Sequence, residues 1–374
     1  MSSAGTEFRP GLEGVVAFRT EIAEPDRGGG ALRYRGVDIE DLVGTTPFGD
    51  VWSLLVDGEF GTGPQPAAAD PLPLRTGDVR ADVQAALAAA GPAEGMAPLL
   101  DVDAATARDQ LARCTGLALS YAAQSARGEE PPVPAEQIDR AGSAAERFLV
   151  SWRGEANPAH ARALDAYWVS AAEHGLNAST FTARVIASTG ADAAACLSGA
   201  VGAMSGPLHG GAPARVLPML DEAERTGDAR QVVESVLDRG DRLMGFGHRV
   251  YRAEDPRARV LRSTCEQLGA PRFEVARALE AAALDVLRER RPDRQIETNV
   301  EFWAAVVLDF AQVPTPMMPA MFTCARLAGW SAHVLEQQRT GRLVRPSAEY
   351  TGPDPRPPHD VPGWRGASPV GAPV

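Results

Sequence analysis

Lysine is absent from this 374-residue chain, and all 37 of its basic residues are arginines. That absence excludes Schiff-base catalysis, pyridoxal phosphate anchoring and a Walker-type phosphate loop, each of which needs a lysine amine. Cysteine is scarce. Cys114, Cys196, Cys265 and Cys324 lie far apart, and no CxxC pair occurs. Three of them sit in apolar helical stretches, so buried free thiols in a reducing compartment are expected in place of a disulfide framework. No apolar run is long enough to span a bilayer, and Met1 to Pro10 lacks the apolar stretch of a secretion signal. A cytoplasmic protein is expected. An excess of positive charge is also missing. The net charge of −12 argues against a nucleic-acid binder, which needs a basic face. The six histidines form no HxxxH or HxH pair, which argues against a metal site. No internal repeat is visible.

What is present describes an ordinary globular protein, 44% hydrophobic and 23% charged, long enough for one large domain or two smaller ones. Two short stretches, 11–17 and 32–37, carry β-branched or aromatic residues around glycines and suggest a small N-terminal hairpin. Helices dominate thereafter. Alanine-, leucine- and arginine-rich segments at about 101–126, 136–152 and 160–173 are each closed by Gly or Pro. Asn177 and Asp192 read as caps of the next two helices. Further helices are expected over 271–291, 299–312 and 317–340. In the last of these, small or apolar residues at 317, 321, 324, 328, 331 and 335 fit one buried face. The Pro/Gly-rich stretch 351–374 reads as an extended tail. The fold class is therefore mostly α.

Four constellations carry chemistry. In Gly245-Phe246-Gly247-His248, followed by Asp255-Pro256-Arg257, glycines allow close approach of a ligand and His248 can donate to a carbonyl oxygen. Asp255 reads as a helix cap with Pro256 in the first turn, so Arg257 sits at a helix N-terminus, suited to a carboxylate. In Ser205-Gly206-Pro207-Leu208-His209-Gly210-Gly211, a helix is expected from about Ala212. His209 would then lie at its N-terminus, where the dipole keeps an imidazole neutral and a good donor to an enolate oxygen. A turn histidine satisfied by backbone is the plainer alternative. His174, in Glu173-His174-Gly175-Leu176-Asn177, stands at a helix junction and is either a capping or core residue or a ligand. Glu301, in Asn299-Val300-Glu301-Phe302-Trp303, is either a dipole partner in a first turn or a base whose pKa is raised by its apolar neighbours. His160 and His359 read as surface residues. His333 lies seven residues beyond Arg326 on the same helix.

In this order the four segments resemble the citrate synthase family, with Pro-Leu-His-Gly-Gly, His-Gly-Leu-Asn-Ala-Ser-Thr-Phe and Gly-Phe-Gly-His to Asp-Pro-Arg as its landmarks. The likeness runs from about Gly11 to Tyr350, is weakest between about 58 and 135, and is greatest to actinobacterial second-type members. The resemblance implies an all-α, two-domain homodimer. Residues 1–206 plus 311–374 would form a large dimerisation domain, and 207–310 a small domain closing over substrates. It implies an acyltransferase of the citrate (Si)-synthase type. Such an enzyme condenses acetyl-CoA with oxaloacetate and water to citrate and CoA, the entry step of the tricarboxylic acid cycle. No metal or redox cofactor is implied, since the CoA thioester is a substrate. By the same resemblance, His209 would stabilise the enol, His248 would polarise the ketone and Glu301 would remove the methyl proton. His174, Arg257 and Arg326 would hold oxaloacetate carboxylates, and Arg345 would reach into the partner's site. Leu243, Met244, Gly245, Phe246, Gly247 and Arg252 would meet CoA.

One position departs from the family, which usually has aspartate where this chain has Glu301. The extra methylene is on the order of 1.5 Å, and misplacing a catalytic group by about 1 Å can cost roughly 10²-fold. A helix set back to compensate is expected. Asp309 is a poor substitute, about 80° around the helix and roughly 12 Å along it. Two other activities remain open: a 2-methylcitrate synthase using propionyl-CoA, and a non-catalytic binding or regulatory homologue.

Overall fold

The computed structural model describes residues 8–26, 30–66, 71–206, 209, 215–247 and 254–366. They contain fifteen α-helices and one three-stranded antiparallel sheet. The sheet has the order β1 (Ala23–Asp26), β2 (Ala31–Tyr34), β3 (Val37–Asp38), with Ala23 opposite Tyr34 and Tyr34 opposite Val37. The hairpin exists, but its first strand is not the expected 11–17 segment. Pro10–Leu12 is a 3₁₀ turn, and Ala23–Asp26 pairs with β2 instead. Its sequence, Ala-Glu-Pro-Asp, has no strand pattern of its own. The order comes from β2, whose Leu32 and Tyr34 are buried in strict alternation.

Helices α1 (Ile39–Leu42), α2 (Phe48–Asp57), α3 (Val79–Ala93) and α4 (Ala104–Arg127) follow. The expected helix over 136–152 is two, α5 (Ala135–Asp139) and α6 (Ala144–Arg153). Ser143 and Glu146 form a reciprocal capping box that starts the second one afresh. Next come α7 (Pro158–Ala171), α8 (Ala178–Ala187), α9 (Ala193–Ala203), α10 (Leu217–Thr226) and α11 (Ala229–Asp238). The last four are α12 (Pro256–Gln267), α13 (Phe273–Arg290), α14 (Val300–Phe310) and α15 (Met318–Thr340).

Helix α15 is the axis of the fold, packed against α2, α4, α7, α8 and α9. It is not buried on one face as its apolar spacing suggests. From Ala320 to Gln337 almost every residue is buried, including Arg326, Ser331, His333, Glu336 and Gln337. Those polar residues are covered because neighbouring helices supply their hydrogen-bond partners, as buried polar groups require. Gly329 explains how closely α15 approaches α7. A Cβ there would stand 2.5 Å from the carbonyl oxygen of Ala172 and 2.2 Å from Glu173 Oε2, so only glycine fits.

The chain divides into two units, residues 20–344 and the paired termini 1–19 with 345–374. All fifteen helices and the sheet belong to the first. The terminal unit, taken by itself, has short turns at Pro10–Leu12 and Pro358–Asp360 and exposes Phe8, Val16, Tyr350 and Trp364. Among the described residues, no helix is long and apolar enough to cross a membrane. The four cysteines are free and buried.

Candidate functional site

Two helices begin side by side. Asp255 caps α12 by accepting from the Arg257 N–H at 3.0 Å, and its other oxygen accepts from the Val300 N–H, in the first turn of α14, at 3.1 Å. The same carboxylate holds the Arg257 side chain through Nε at 3.0 Å and Nη2 at 2.7 Å. Asp255 and Arg257 are both buried. Two positive helix ends and one oriented guanidinium therefore share one place, which favours an anion.

Glu301 stands in the first turn of α14, half-buried between the buried Phe302 and Trp303 on one side and Asn299 on the other. Burial raises its pKa above the ordinary carboxylate range, against the pull of Arg257, Arg242 and Arg215. A carboxylate so placed is a stronger base than one in water. Asp309 is engaged elsewhere, by Arg272 Nη1 at 3.3 Å.

Asn299 ties α14 to the glycine loop. Its Oδ1 accepts from Glu301 N at 2.9 Å, its Nδ2 donates to the Gly247 carbonyl at 2.8 Å, and its own N–H donates to the Gly245 carbonyl at 2.9 Å. Gly245 has φ +88°, and a Cβ there would strike Phe302 Cβ at 2.8 Å. The backbone thus lies directly on α14, with the Phe246 ring 5.3 Å from that of Phe302. Leu243 is buried, and Met244, Phe246 and Gly247 are partly exposed. His248 and Arg252, which continue this loop, lie outside the described residues.

His209 approaches from the other side. Its Nε2 is 2.8 Å from Ser179 Oγ, which also accepts from Trp330 Nε1 at 3.1 Å and lies 2.8 Å from Asn177 Oδ1. Its ring meets Phe322 at 5.9 Å. Burial first, then Arg326, lower the His209 pKa to about 4. The imidazole is neutral at physiological pH, as expected. The next described helix starts at Leu217, and the expected start near Ala212 falls in residues 210–214, outside the described ones. Desolvation and a neighbouring cation both favour the neutral ring.

Arg326 is buried in α15. Its Nε donates to the Ala171 carbonyl at 3.0 Å, and its Cζ lies 4.7 Å over the Phe322 ring. Its Nη1 is buried and has no hydrogen-bond partner among the described residues. An orphaned buried donor on a cation is costly and marks a place for an anion. His174 is half-buried at the junction of α7 and α8, next to Glu173. Arg345 is exposed and belongs to the terminal unit.

The charges report on one another. Arg326 acts on His209, Arg257 acts on Arg326 and Glu301, and Tyr167 feels Arg326, Arg257 and Glu301 together. Four of the expected residues thus share one electrostatic environment. Several neighbours escaped sequence reasoning: Ser179, Trp330, Glu173 and Tyr34, whose hydroxyl donates to carbonyls at the end of α7. Ser179 had a readable signal, since it follows the Asn177 cap by two residues.

The family profile described as "Citrate synthase, C-terminal domain" matches residues 11–347. A Mycobacterium tuberculosis protein named "Putative citrate synthase 2" is 71% identical over 366 residues, 97% of this chain and 98% of its own. The 2-methylcitrate synthase of Shewanella oneidensis is 32% identical, over 95% of this chain and 98% of its own. Among solved structures, the ternary complex of carboxymethyl coenzyme A and oxaloacetate with citrate synthase from Thermoplasma acidophilum superposes with a TM-score of 0.81 at 27% identity, covering 94% of this chain and 98% of that one. The chain belongs to the citrate synthase family of acyltransferases.

Proposed function

We propose that the protein condenses acetyl-CoA with oxaloacetate and water, giving citrate and CoA. The observation that carries this reading is geometric: Asp255 fixes the Arg257 guanidinium and the first turn of the helix carrying Glu301, while Arg326 stands over Phe322, the ring that His209 meets. A thioester methyl is a very weak acid. It yields a proton only when a base and an oxyanion donor act together in a site closed to water. Glu301 takes the methyl proton. His209, held at Nε2 by the Ser179 hydroxyl oxygen and neutral at physiological pH, stabilises the enolate oxygen. The methylene carbon then bonds to the ketone carbon of oxaloacetate, and His248 supplies the proton to the new alkoxide. Water cleaves the resulting thioester, releasing citrate and the CoA thiol.

His174, Arg257 and Arg326 hold the oxaloacetate carboxylates, Arg326 with the Nη1 that is otherwise orphaned. Arg345 reaches the second subunit's site in a homodimer. The CoA chain lies along the loop Leu243 to Gly247, with Arg252 near its phosphates. Residues 207–310 act as the small domain that closes over both substrates. The protein works in the cytoplasm, at the entry to the tricarboxylic acid cycle. Acetyl-CoA is preferred to propionyl-CoA on the strength of the 71% relative, against 32% for the 2-methylcitrate enzyme.

Thiol release with oxaloacetate and each acyl-CoA tests this. A larger kcat/KM for acetyl-CoA is expected, and one methylene is worth about 1–3 kcal/mol of discrimination. Glu301→Ala should cost about 10²–10⁴ in kcat with fold and assembly intact. Near-wild-type turnover of Glu301→Ala would remove the base. Absence of thiol release from the wild type would remove the activity.

A further inference from the structure

Behind Arg326 runs a buried relay of four side chains. Glu173, His333, Arg184 and Glu336 are all more than nine-tenths buried. Arg184 Nη1 donates to Glu336 Oε2 at 2.6 Å and lies 2.8 Å from His333 Nδ1. A guanidinium only donates, so His333 Nδ1 accepts and the ring proton is on Nε2. That Nε2–H points at Glu173 Oε1, 3.2 Å away. The far end is anchored twice. Glu336 Oε1 accepts from Glu21 N at 3.0 Å and from Thr20 Oγ1 at 3.3 Å. Arg184 Nε donates to Gln337 Oε1 at 3.1 Å, and Gln337 Nε2 donates to the Arg342 carbonyl at 2.9 Å.

The near end is Glu173, and its surroundings make it more than a core ion pair. Its side chain is pressed against Gly329, one turn beyond Arg326 in α15, and its charge acts on the Arg326 guanidinium. Its backbone carbonyl accepts from the Tyr34 hydroxyl at 3.2 Å. Its Oε2 has no hydrogen-bond partner among the described residues. The residue that follows is His174. Fixing Glu173 by side chain and by backbone therefore fixes the start of His174 and one wall of the Arg326 pocket together.

We propose that His333 and Glu173 are positioning residues for oxaloacetate, acting through His174 and Arg326 without touching the substrate. This rests on the functional reading above. Among the described residues no hydrogen bond or ion pair joins either residue to the loop held by Asn299, so the relay should govern one substrate and not the other.

His333→Gln and His333→Asn test the proposal. A glutamine amide spans the two ring nitrogens, accepting from Arg184 and donating to Glu173. Asparagine is one methylene shorter, so it keeps the Arg184 contact and falls short of Glu173. His333→Asn should raise KM for oxaloacetate about tenfold or more, while KM for acetyl-CoA and kcat stay within about threefold. His333→Gln should restore oxaloacetate KM to within about threefold. If His333→Asn does not fold, Glu173→Asp retains the charge, withdraws from His333 and carries the same expectation. An unchanged oxaloacetate KM in the variant, equal damage in His333→Gln and His333→Asn, or a matching loss in acetyl-CoA KM and kcat would each overturn it. Calorimetric titration of oxaloacetate into the same proteins separates this from the functional reading. If the wild type binds oxaloacetate but releases no thiol, the reaction is wrong, and the ranking of the variants' affinities still decides the positioning role.

Discussion

Arg257 and Arg326 are both buried guanidinium groups beside the same candidate site, and they are held in opposite ways. Arg257 is held by one carboxylate two residues away, Asp255, through two side-chain hydrogen bonds. Arg326 is bonded to a backbone carbonyl and keeps one nitrogen without a hydrogen-bond partner among the described residues, while its countercharge, Glu173, is held by His333 of α15, itself bonded to Arg184 of α8. The local arrangement joins Arg257 to the helix that carries Glu301, because Asp255 also binds the first turn of α14. The distributed one joins Arg326 to the chain near Thr20 and Arg342. Under the proposed function, a site built this way would separate two tasks: the α12–α14 end would couple substrate clamping to proton removal, and the α15 end would tune only how oxaloacetate is held.

Asp255→Ala should break that division most severely. It leaves the Arg257 charge buried without this partner, which typically costs about 3–5 kcal/mol, and it frees the first turn of α14. Urea unfolding should show the loss, and any folded enzyme should show a higher oxaloacetate KM together with a lower kcat. A change in KM alone would mean that Asp255 does not couple the two.

The same contrast explains what the sequence made legible. Asp255-Pro256-Arg257 is a local motif, and a cap, a first-turn proline and an arginine can be read from their spacing. The caps Asn177 and Asp192 were readable for the same reason, as were the helices that they open. The relay was not. Glu173, Arg184 and His333 meet across as many as 160 residues of chain, and no local pattern announces such a pairing. A partial signal existed in α15, where Arg326, Gly329, His333 and Glu336 recur at helical spacing along one side. The apolar stripe on the other side was the louder signal and suggested a half-exposed helix. The first strand failed in the same way, since Ala23–Asp26 is ordered by its partner and not by its own residues.

Glu301→Asp probes the coupled end more gently. The carboxylate retreats by about 1.5 Å while Asp255, Arg257 and Asn299 are untouched. A fall in kcat of about 10- to 100-fold is expected, with oxaloacetate KM unchanged. Steady-state kinetics decides this. Total inactivity would show that α14 is set for the longer side chain alone.

Asp165 offers the most diagnostic change, because it is a half-buried carboxylate with no cation partner among the described residues. Its Oδ1 accepts from the Phe48 N–H at 3.0 Å, capping α2 from α7 where Pro47 offers no side-chain cap. Burial pushes its pKa up to about 7, with Asp50 and Glu146 adding to the rise. A folded-state pKa above the unfolded value of about 3.9 means the folded protein binds the extra proton. The stability this contributes is complete below pH 4 and is lost as pH rises through 7. His209 slopes the other way, gaining stability from about 4 to 6.5, so the wild-type curve mixes the two. Asp165→Asn keeps the oxygen that caps α2 and cannot ionise. Its unfolding free energy, measured from pH 4 to 8, should match wild type at the acid end and exceed it by up to about 4 kcal/mol at pH 8. The difference between the two curves cancels His209. If Asp165→Asn is instead the weaker protein at pH 8, the ionised carboxylate strengthens the α2 cap by more than its burial costs. Charge without a counter-ion would then be tolerated in this core, and the contrast between Arg257 and Arg326 would lose its energetic basis.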